Sequence, residues 1–313
     1  MALSVFIDGG HGTTGLEIRD RLRDRPEISL LALDDHRRKD DAARAEALRG
    51  ADIAILCLPD DAARAAVAMI GDADTRIIDA STAHRIAPDW AYGFPEWEPG
   101  HRSTIAQSRH VANPGCYAQT FVALVHPLVR SGVLPSDAEL SVNATSGYSG
   151  GGRSMIEEFE QGDAPTAFRN YALALTHKHL PEMREHAGLA KPPLFSPSVA
   201  NLHRGMLVEI PLHTGQLRTG ATVEDVRSAL RDHYADSRLI AVHDAAETAA
   251  VDTVTIEGCA GTDRMEIFVF ANPEAGHIRL CATLDNLGKG AAGAAVQNLN
   301  LMAGLDECTG LRL

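Results

Sequence analysis

Three features of the chain predict an α/β protein, a doubly wound and mostly parallel sheet joined to a second α+β domain built on a largely antiparallel sheet. From residue 5 to about residue 112, short apolar runs alternate with helical patterns. Such alternation gives right-handed βαβ units and a parallel sheet. Between residues 206 and 284 the apolar runs follow one another with one helical pattern among them, near Val223 to Tyr234. The last segment, from Asn286, is rich in Gly and Ala and has too little apolar bulk to build a core of its own. It is expected to form a helix that returns to the first sheet. The expected division is therefore 1–115 plus 286–313 for the first domain, and 116–285 for the second.

Taken in order, Val5 to Ile7 is a short strand, followed by Gly9, Gly12 and Gly15 in a G-x-x-G-x-x-G string and then a charged helix with Leu16, Ile18 and Leu22. Glycines at a strand-to-helix turn let the backbone approach a pyrophosphate, which the helix N-terminus attracts. A dinucleotide site is expected there, with Thr13 and Thr14 beside the glycines, although the spacing departs from the usual G-x-G-x-x-G. The second strand, Ile28 to Leu33, ends at Asp34 and Asp35 and then the basic run Arg37, Arg38 and Lys39. Acids at this place read a ribose 2′-hydroxyl and basic residues accept a 2′-phosphate. The cluster favours NADP, and the two Asp leave NAD open. Asp52 to Pro59 reads as a strand buried on both faces, followed by an alanine-rich helix and a strand at Arg76 to Asp79. Ser81 and Arg85 follow the end of that strand, where doubly wound sheets bind ligands. Ser81 fits a helix cap equally well.

Cys116 follows a short strand ending at Val111 and Ala112 and a turn forced by Pro114 and Gly115. Phe121, Leu124, Val125 and Leu128 then recur at i, i+3, i+4 and i+7, the spacing of an amphipathic helix. A thiol at a helix N-terminus is stabilised as thiolate, the nucleophilic form. A buried structural cysteine gives the same pattern. A loop of small residues is expected at 146–153, ending in Arg153. His177 and His179 flank Lys178 just before Pro181, which suits a helix start. Either histidine can serve a nearby thiol as acid or base, and no metal site is expected. Arg109 and Arg204 are further candidates for an anionic substrate. Strands are expected at Leu140 to Thr145, Met206 to Leu212, Leu239 to His243, Thr253 to Glu257, Arg264 to Ala271 and Ile278 to Leu284.

The composition limits the alternatives. Apolar residues make up 45% of the 313 and charged residues 23%, and a net charge of -13 argues against nucleic acid or an anionic membrane as partner. No apolar run reaches the length of a membrane span, and the N-terminus enters a strand pattern with no signal-peptide features. Cys57, Cys116, Cys259, Cys281 and Cys308 form an odd set without a C-x-x-C pair, which suits a reducing cytoplasm.

Together the motifs resemble a known family. Gly12 to Gly15 (GTTG), Leu56 to Asp61 (LCLPDD), Asp79 to Arg85 (DASTAHR) and Asn113 to Tyr117 (NPGCY) all fit, as do Ser146 to Arg153 (SGYSGGGR), His177 to Glu182 (HKHLPE) and Asn286 to Asn298 (NLGKGAAGAAVQN). The chain resembles the N-acetyl-gamma-glutamyl-phosphate reductases of arginine biosynthesis, in their shorter second type, from its first strand to its last helix. The resemblance implies an NADP-dependent reductive dephosphorylation of an acyl phosphate through a cysteine thioester, in a cytoplasmic homo-oligomer, dimer or tetramer. It implies that Cys116 is the nucleophile, with His179 favoured over His177 as the acid/base. It implies cofactor contacts at Gly9 through Gly15 and at Asn286 and Lys289, near the start of the last helix. Arg85, Arg109, Arg153, Lys178 and Arg204 are candidates for the substrate's carboxylate and phosphate. Gln119 stands where the family usually has Thr, and His11 where the loop is commonly small. An aspartate-semialdehyde dehydrogenase-like reductase, or a nucleotide-binding regulatory relative without turnover, are the alternatives.

Overall fold

The computed structural model describes residues 2–34, 36–161 and 166–313, so Asp35 lies outside the described residues. The first half of the chain gives β1 (Leu3–Asp8), α1 (Thr13–Leu22), β2 (Ile28–Leu31), α2 (Asp41–Gly50), β3 (Ile53–Leu56), α3 (Asp60–Ile70), β4 (Arg76–Asp79), β5 (Ala91–Tyr92), α4 (His101–Gln107) and β6 (His110–Ala112). Then come α5 (Cys116–Arg130), β7 (Ser141–Gly147), α6 (Gly152–Glu160), β8 (Phe168–Asn170), α7 (Leu180–Ala187), β9 (Leu194–Ala200) and β10 (Met206–His213). The remainder is α8 (Val223–His233), β11 (Ile240–Val242), α9 (Ala245–Ala249), β12 (Met265–Asn272), β13 (His277–Leu284), a π-helical turn (Gly288–Ala292) and α10 (Gly293–Met302). The chain forms two compact units, 1–95 with 99–115 and 291–311, and 96–98 with 116–290 and 312–313.

The first unit is a six-stranded sheet in the order β2-β1-β3-β4-β6-β5, with every pairing parallel. Strand side chains alternate between faces, and each face builds its own core. Val5, Ile53, Ile55 and Ile78 pack with Ile18 and Leu22 of α1, Ile105 of α4, and Ala295, Val296 and Leu299 of α10. Phe6, Ala54, Leu56 and Ile77 face the other way, onto Leu48 of α2 and Ala63, Ala66 and Ile70 of α3. Helices on both faces are the doubly wound arrangement, and the small residues of α10 let it lie close on the sheet. The run from Ile53 to Leu56 is apolar without a break because both of its faces are covered.

The second unit is a seven-stranded mixed sheet in the order β11-β12-β13-β10-β7-β9-β8. Four of its six pairings are antiparallel, and β7 with β9 and β11 with β12 are parallel. Thr253 to Glu257, expected as a strand, joins neither sheet. It is instead a loop held by the Thr283 hydroxyl, which donates to the Thr255 carbonyl at 3.3 Å. The glycine-rich stretch after β7 is likewise not a plain loop. It is a tight turn from Tyr148 to Gly151 that leads into α6. Helix α5 is not amphipathic in place, since Tyr117 through Leu128 are all buried. It packs against α7 and α8 and against β10 and β13, which covers every side. Among the described residues no helix is long and apolar enough to cross a membrane.

Candidate active site

In the first unit the glycine string lies at the C-terminal end of β1. Gly9 has φ of 84°, and a Cβ there would fall 2.2 Å from the Cys57 carbonyl oxygen. A Cβ at Gly15 would lie 2.6 Å from the Gly9 carbonyl oxygen, so only glycine lets α1 start this close to the loop. Gly12 caps α1 in extended conformation and offers no side chain to its first turn. The N–H groups of Thr13 and Thr14 are among those a helix leaves without an internal acceptor, and they suit an anion. A cleft of about 950 Å³ opens here, lined by Gly9, Gly10, Gly12, Arg38, Lys39 and Arg44. This cradle fits a dinucleotide. Arg37 is not in it. It is exposed and lies 3.6 Å from Glu46. Arg44, which the sequence reading missed, lies in it and pairs with Asp8 and Asp41 at 2.9 Å each. The Asp8 carboxylate holds its guanidinium pKa above the usual arginine value.

Three other candidates in this unit have protein partners. Ser81 is one of them. Its hydroxyl donates to Asp79 at 2.7 Å, and its N–H to the same carboxylate at 2.9 Å. This bend also takes the His84 ring, 2.6 Å from Asp79. Arg85 is buried and donates to the carbonyls of Asn113 and Ala80, so it braces the turn after β6. Arg109 precedes β6 and donates to the carbonyls of Gly71 and Ala73. That is the N-terminal end of a parallel strand, opposite the end at which such sheets bind ligands.

In the second unit Cys116 is the first residue of α5. Thr120 returns a hydroxyl donor to the Cys116 carbonyl at 2.8 Å, one turn on. Around Tyr117 the aromatic rings converge. Its ring centre lies 6.3 Å from that of His177 and 6.0 Å from that of His179, and the two imidazoles are 4.8 Å apart. The Tyr171 hydroxyl donates to that of Tyr117 at 3.3 Å. Burial, and then the charge of Cys116, raise the Tyr171 pKa to about 12. The sequence thus brings the histidine pair to the residue beside Cys116. His177 and His179 hold their places because the His179 N–H donates to Nδ1 of His177 at 3.2 Å, and α7 starts immediately afterwards. This donor makes Nδ1 an acceptor and Nε2 the protonated nitrogen. Burial, then Lys178, lower the His177 pKa to about 4, so it is neutral near pH 7.

Among the charged candidates, Lys178 is exposed next to this cluster. Arg153 is exposed on α6 and pairs with Glu157 at 2.7 Å, one helical turn away. Nε of Arg204 lies 2.9 Å from the buried Asp285. Asn286 does not cap a helix. Its amide oxygen accepts from Gly205 N–H at 2.9 Å and its amide nitrogen donates to Ser149 at 2.8 Å, which ties the segment to the turns after β7 and β9. Lys289 does not reach toward a phosphate. It is buried against Glu96 with both carboxylate oxygens at 2.9 Å. Glu96, Tyr117 and Tyr171 were not singled out from the sequence. Tyr117 had the signal of adjacency to Cys116, whereas Glu96 and Tyr171 become visible through burial and contacts alone. Among the described residues, no group of three or more His, Cys, Asp or Glu is placed to hold a metal.

Comparison with known proteins places this geometry. Residues 4–105 match the family model of the semialdehyde dehydrogenase NAD binding domain, and residues 116–286 match that of the semialdehyde dehydrogenase dimerisation domain. The class is therefore a two-domain semialdehyde dehydrogenase. Aspartate semialdehyde dehydrogenase II of Vibrio cholerae, solved in complex with ASA, shares the fold with a TM-score of 0.72 at 17% identity, over 97% of this chain and 99% of that one. The Candida albicans aspartate semialdehyde dehydrogenase, solved with NADP, has a TM-score of 0.66 at 15% identity, over 97% of this chain and 99% of that one. Sequence relatives are much nearer. The N-acetyl-gamma-glutamyl-phosphate reductase of Burkholderia lata is 50% identical over 96% of both chains. That of Sinorhizobium medicae is 48% identical over 96% of this chain and 99% of its own. The chain belongs to the N-acetyl-gamma-glutamyl-phosphate reductase family.

Proposed function

We propose that this protein uses NADPH to reduce N-acetyl-gamma-glutamyl phosphate to N-acetyl-glutamate 5-semialdehyde and phosphate, a step of arginine biosynthesis, in the cytoplasm. The observation that carries the reading is Cys116 at the head of α5, beside a tyrosine ringed by His177 and His179. Full-length identity near 50% to reductases of that name supports the substrate.

The Cys116 sulfur attacks the carbonyl carbon of the acyl phosphate. The carbon–oxygen bond to phosphate breaks, and a thioester remains on Cys116. N–H groups at the start of α5 stabilise the negative oxygen during this attack. NADPH, when held by the glycine loop, would supply hydride for reduction of the thioester. His179 gives a proton to the resulting oxyanion and takes it back as the carbon–sulfur bond breaks, which releases the aldehyde and regenerates the thiolate. His179 is the better choice, because His177 has Nδ1 engaged and too low a pKa to act as an acid near neutrality. Lys178, exposed beside the pair, and Arg204 serve the substrate's anionic groups. Gly9 to Gly15 would hold the pyrophosphate, and Arg38 with Lys39 a 2′-phosphate. We assign the cofactor to residues 1–115 with the C-terminal helix, and chemistry and self-association to residues 116–285. A homo-oligomer, dimer or tetramer, is part of the proposal, supported by the dimerisation-domain match and tested by light scattering.

A coupled assay tests the function. NADPH consumption with enzymatically generated N-acetyl-glutamyl phosphate should exceed that with aspartyl phosphate by orders of magnitude. The reverse preference would assign the chain to aspartate-semialdehyde chemistry, and no turnover on either would leave a nucleotide-binding protein without catalysis.

A further inference from the structure

Lys289 is 1% exposed, and Nζ lies 2.9 Å from each carboxylate oxygen of Glu96, itself 5% exposed. Removing two charges from water is costly, and replacing a buried pair by apolar groups is often neutral or stabilising. Stability is thus a weak reason for such a pair, whereas its position offers a better one. Lys289 lies in the π-helical turn Gly288–Ala292. Gly290 N–H donates to the Asp285 carbonyl, five residues back, at 2.9 Å. π-turns are rare and are frequent at functional sites. This turn places Gly290 against the nucleophile, for a Cβ built on Gly290 would stand 2.9 Å from Cβ of Cys116.

The Glu96 end is anchored independently. A ring nitrogen of His233 lies 3.0 Å from the Glu96 carbonyl oxygen. The neighbouring Trp97 donates its indole N–H to the His186 carbonyl at 2.8 Å, and its ring centre lies 5.5 Å from that of His126 and 5.2 Å from that of His186. The segment 96–98 is thereby fixed to α5, α7 and α8, and its carboxylate holds one end of the turn. Asp285 fixes the other end, accepting from the N–H groups of Leu287 and Gly288 at 2.8 and 2.9 Å.

We propose that the Glu96–Lys289 pair is a positioning device for Cys116. It sets the turn so that Gly290 abuts the cysteine and defines the direction of the thiol, and neither residue touches the substrate. The proposal rests on the reading of Cys116 as the nucleophile.

Two full-length variants test it, Glu96→Gln and the charge-free double variant Glu96→Gln/Lys289→Met. Each is measured for thermal unfolding, kcat, both KM values and the rate at which iodoacetamide alkylates Cys116 at alkaline pH, where the thiol is ionised. With the turn released, kcat should fall about tenfold or more, while KM for the acyl phosphate and for NADPH stay within about threefold, the signature of lost positioning rather than lost binding. Alkylation should accelerate about threefold or more, because Gly290 no longer confines the thiol. The double variant carries no orphaned charge, so it decides the matter if Glu96→Gln does not fold. A folded double variant with wild-type kcat and wild-type alkylation overturns the proposal. A wild-type protein with no turnover on the acyl phosphate would instead refute the reductase reading, and the alkylation comparison would still decide the positioning claim.

Discussion

Gly290→Ala adds one methyl group next to Cys116. The new Cβ would stand 2.9 Å from Cβ of Cys116 and 3.1 Å from the Asp285 carbonyl oxygen. Carbon pairs rest at about 3.5–4.0 Å, so the turn and the cysteine must separate by roughly 1 Å. Overpacking of this kind costs about 1–3 kcal/mol. For a unit of this size, each kcal/mol lowers the melting temperature by about 2–4 °C. The kinetic effect should be the larger one, since a displacement of ~1 Å at a reacting group costs up to about a hundredfold. The assay measures the burst of phosphate release in a single turnover, which reads acylation of Cys116 before any hydride transfer. Acylation should slow at least tenfold while NADPH affinity is retained. A variant that melts lower yet acylates at the wild-type rate would refute the claim that Gly290 sets the thiol's place.

The remaining predictions follow from the same geometry. His179→Asn should reduce kcat about a hundredfold or more, in the range expected for losing an acid/base group, and His177→Asn should cost less; the opposite order in steady-state kinetics would exchange their roles. Arg38→Ala should weaken NADPH binding about tenfold or more with little change for NADH, as expected for a charge-assisted bond of roughly 1.5–3 kcal/mol. Arg37→Ala should change neither cofactor, and fluorescence titration of both variants separates the two residues. Burial, followed by the charges of His233 and Arg130, lowers the His126 pKa to about 4, and His177 is lowered to about 4 as well. A histidine with a depressed folded pKa binds its proton more readily when unfolded, so stability is full above about pH 6.5 and is lost as pH falls toward 4. Unfolding in that window should therefore take up protons, and His126→Gln should remove about one of them; an unchanged pH slope would contradict the assignment.

Much of the fold was legible because its signals are local. The unbroken apolar run before Pro59 announced a strand covered on both faces, and Gly9 and Gly15 marked a turn that admits no Cβ. Cys116 was legible for the same reason, as Pro114 and Gly115 end a strand and the periodicity of Phe121 to Leu128 begins a helix. The same periodicity misled on exposure, because the helix is enclosed by elements distant in sequence. Thr253 to Glu257 has a strand's composition, but its backbone is held by a side chain distant in sequence, the Thr283 hydroxyl, which no local pattern reveals. The charged residues were the least legible. Arg85, Arg109 and Arg204 look alike in sequence, and only folding shows that backbone carbonyls hold the first two and Asp285 the third. The partner of Lys289 has no local signal, because Glu96 lies 193 residues away.

The central claim is that Cys116 carries the acyl group. Cys116→Ser is the direct measurement, in the NADPH-coupled assay with N-acetyl-glutamyl phosphate and with cofactor binding followed in parallel. A hydroxyl near neutral pH is a far weaker nucleophile than a thiolate. Turnover should fall by orders of magnitude while NADPH binds as before, and denaturing mass spectrometry of the wild-type protein, quenched with substrate and without NADPH, should find the acyl group on Cys116. A variant retaining more than about a tenth of wild-type turnover, or an acyl group on another residue, would contradict the account.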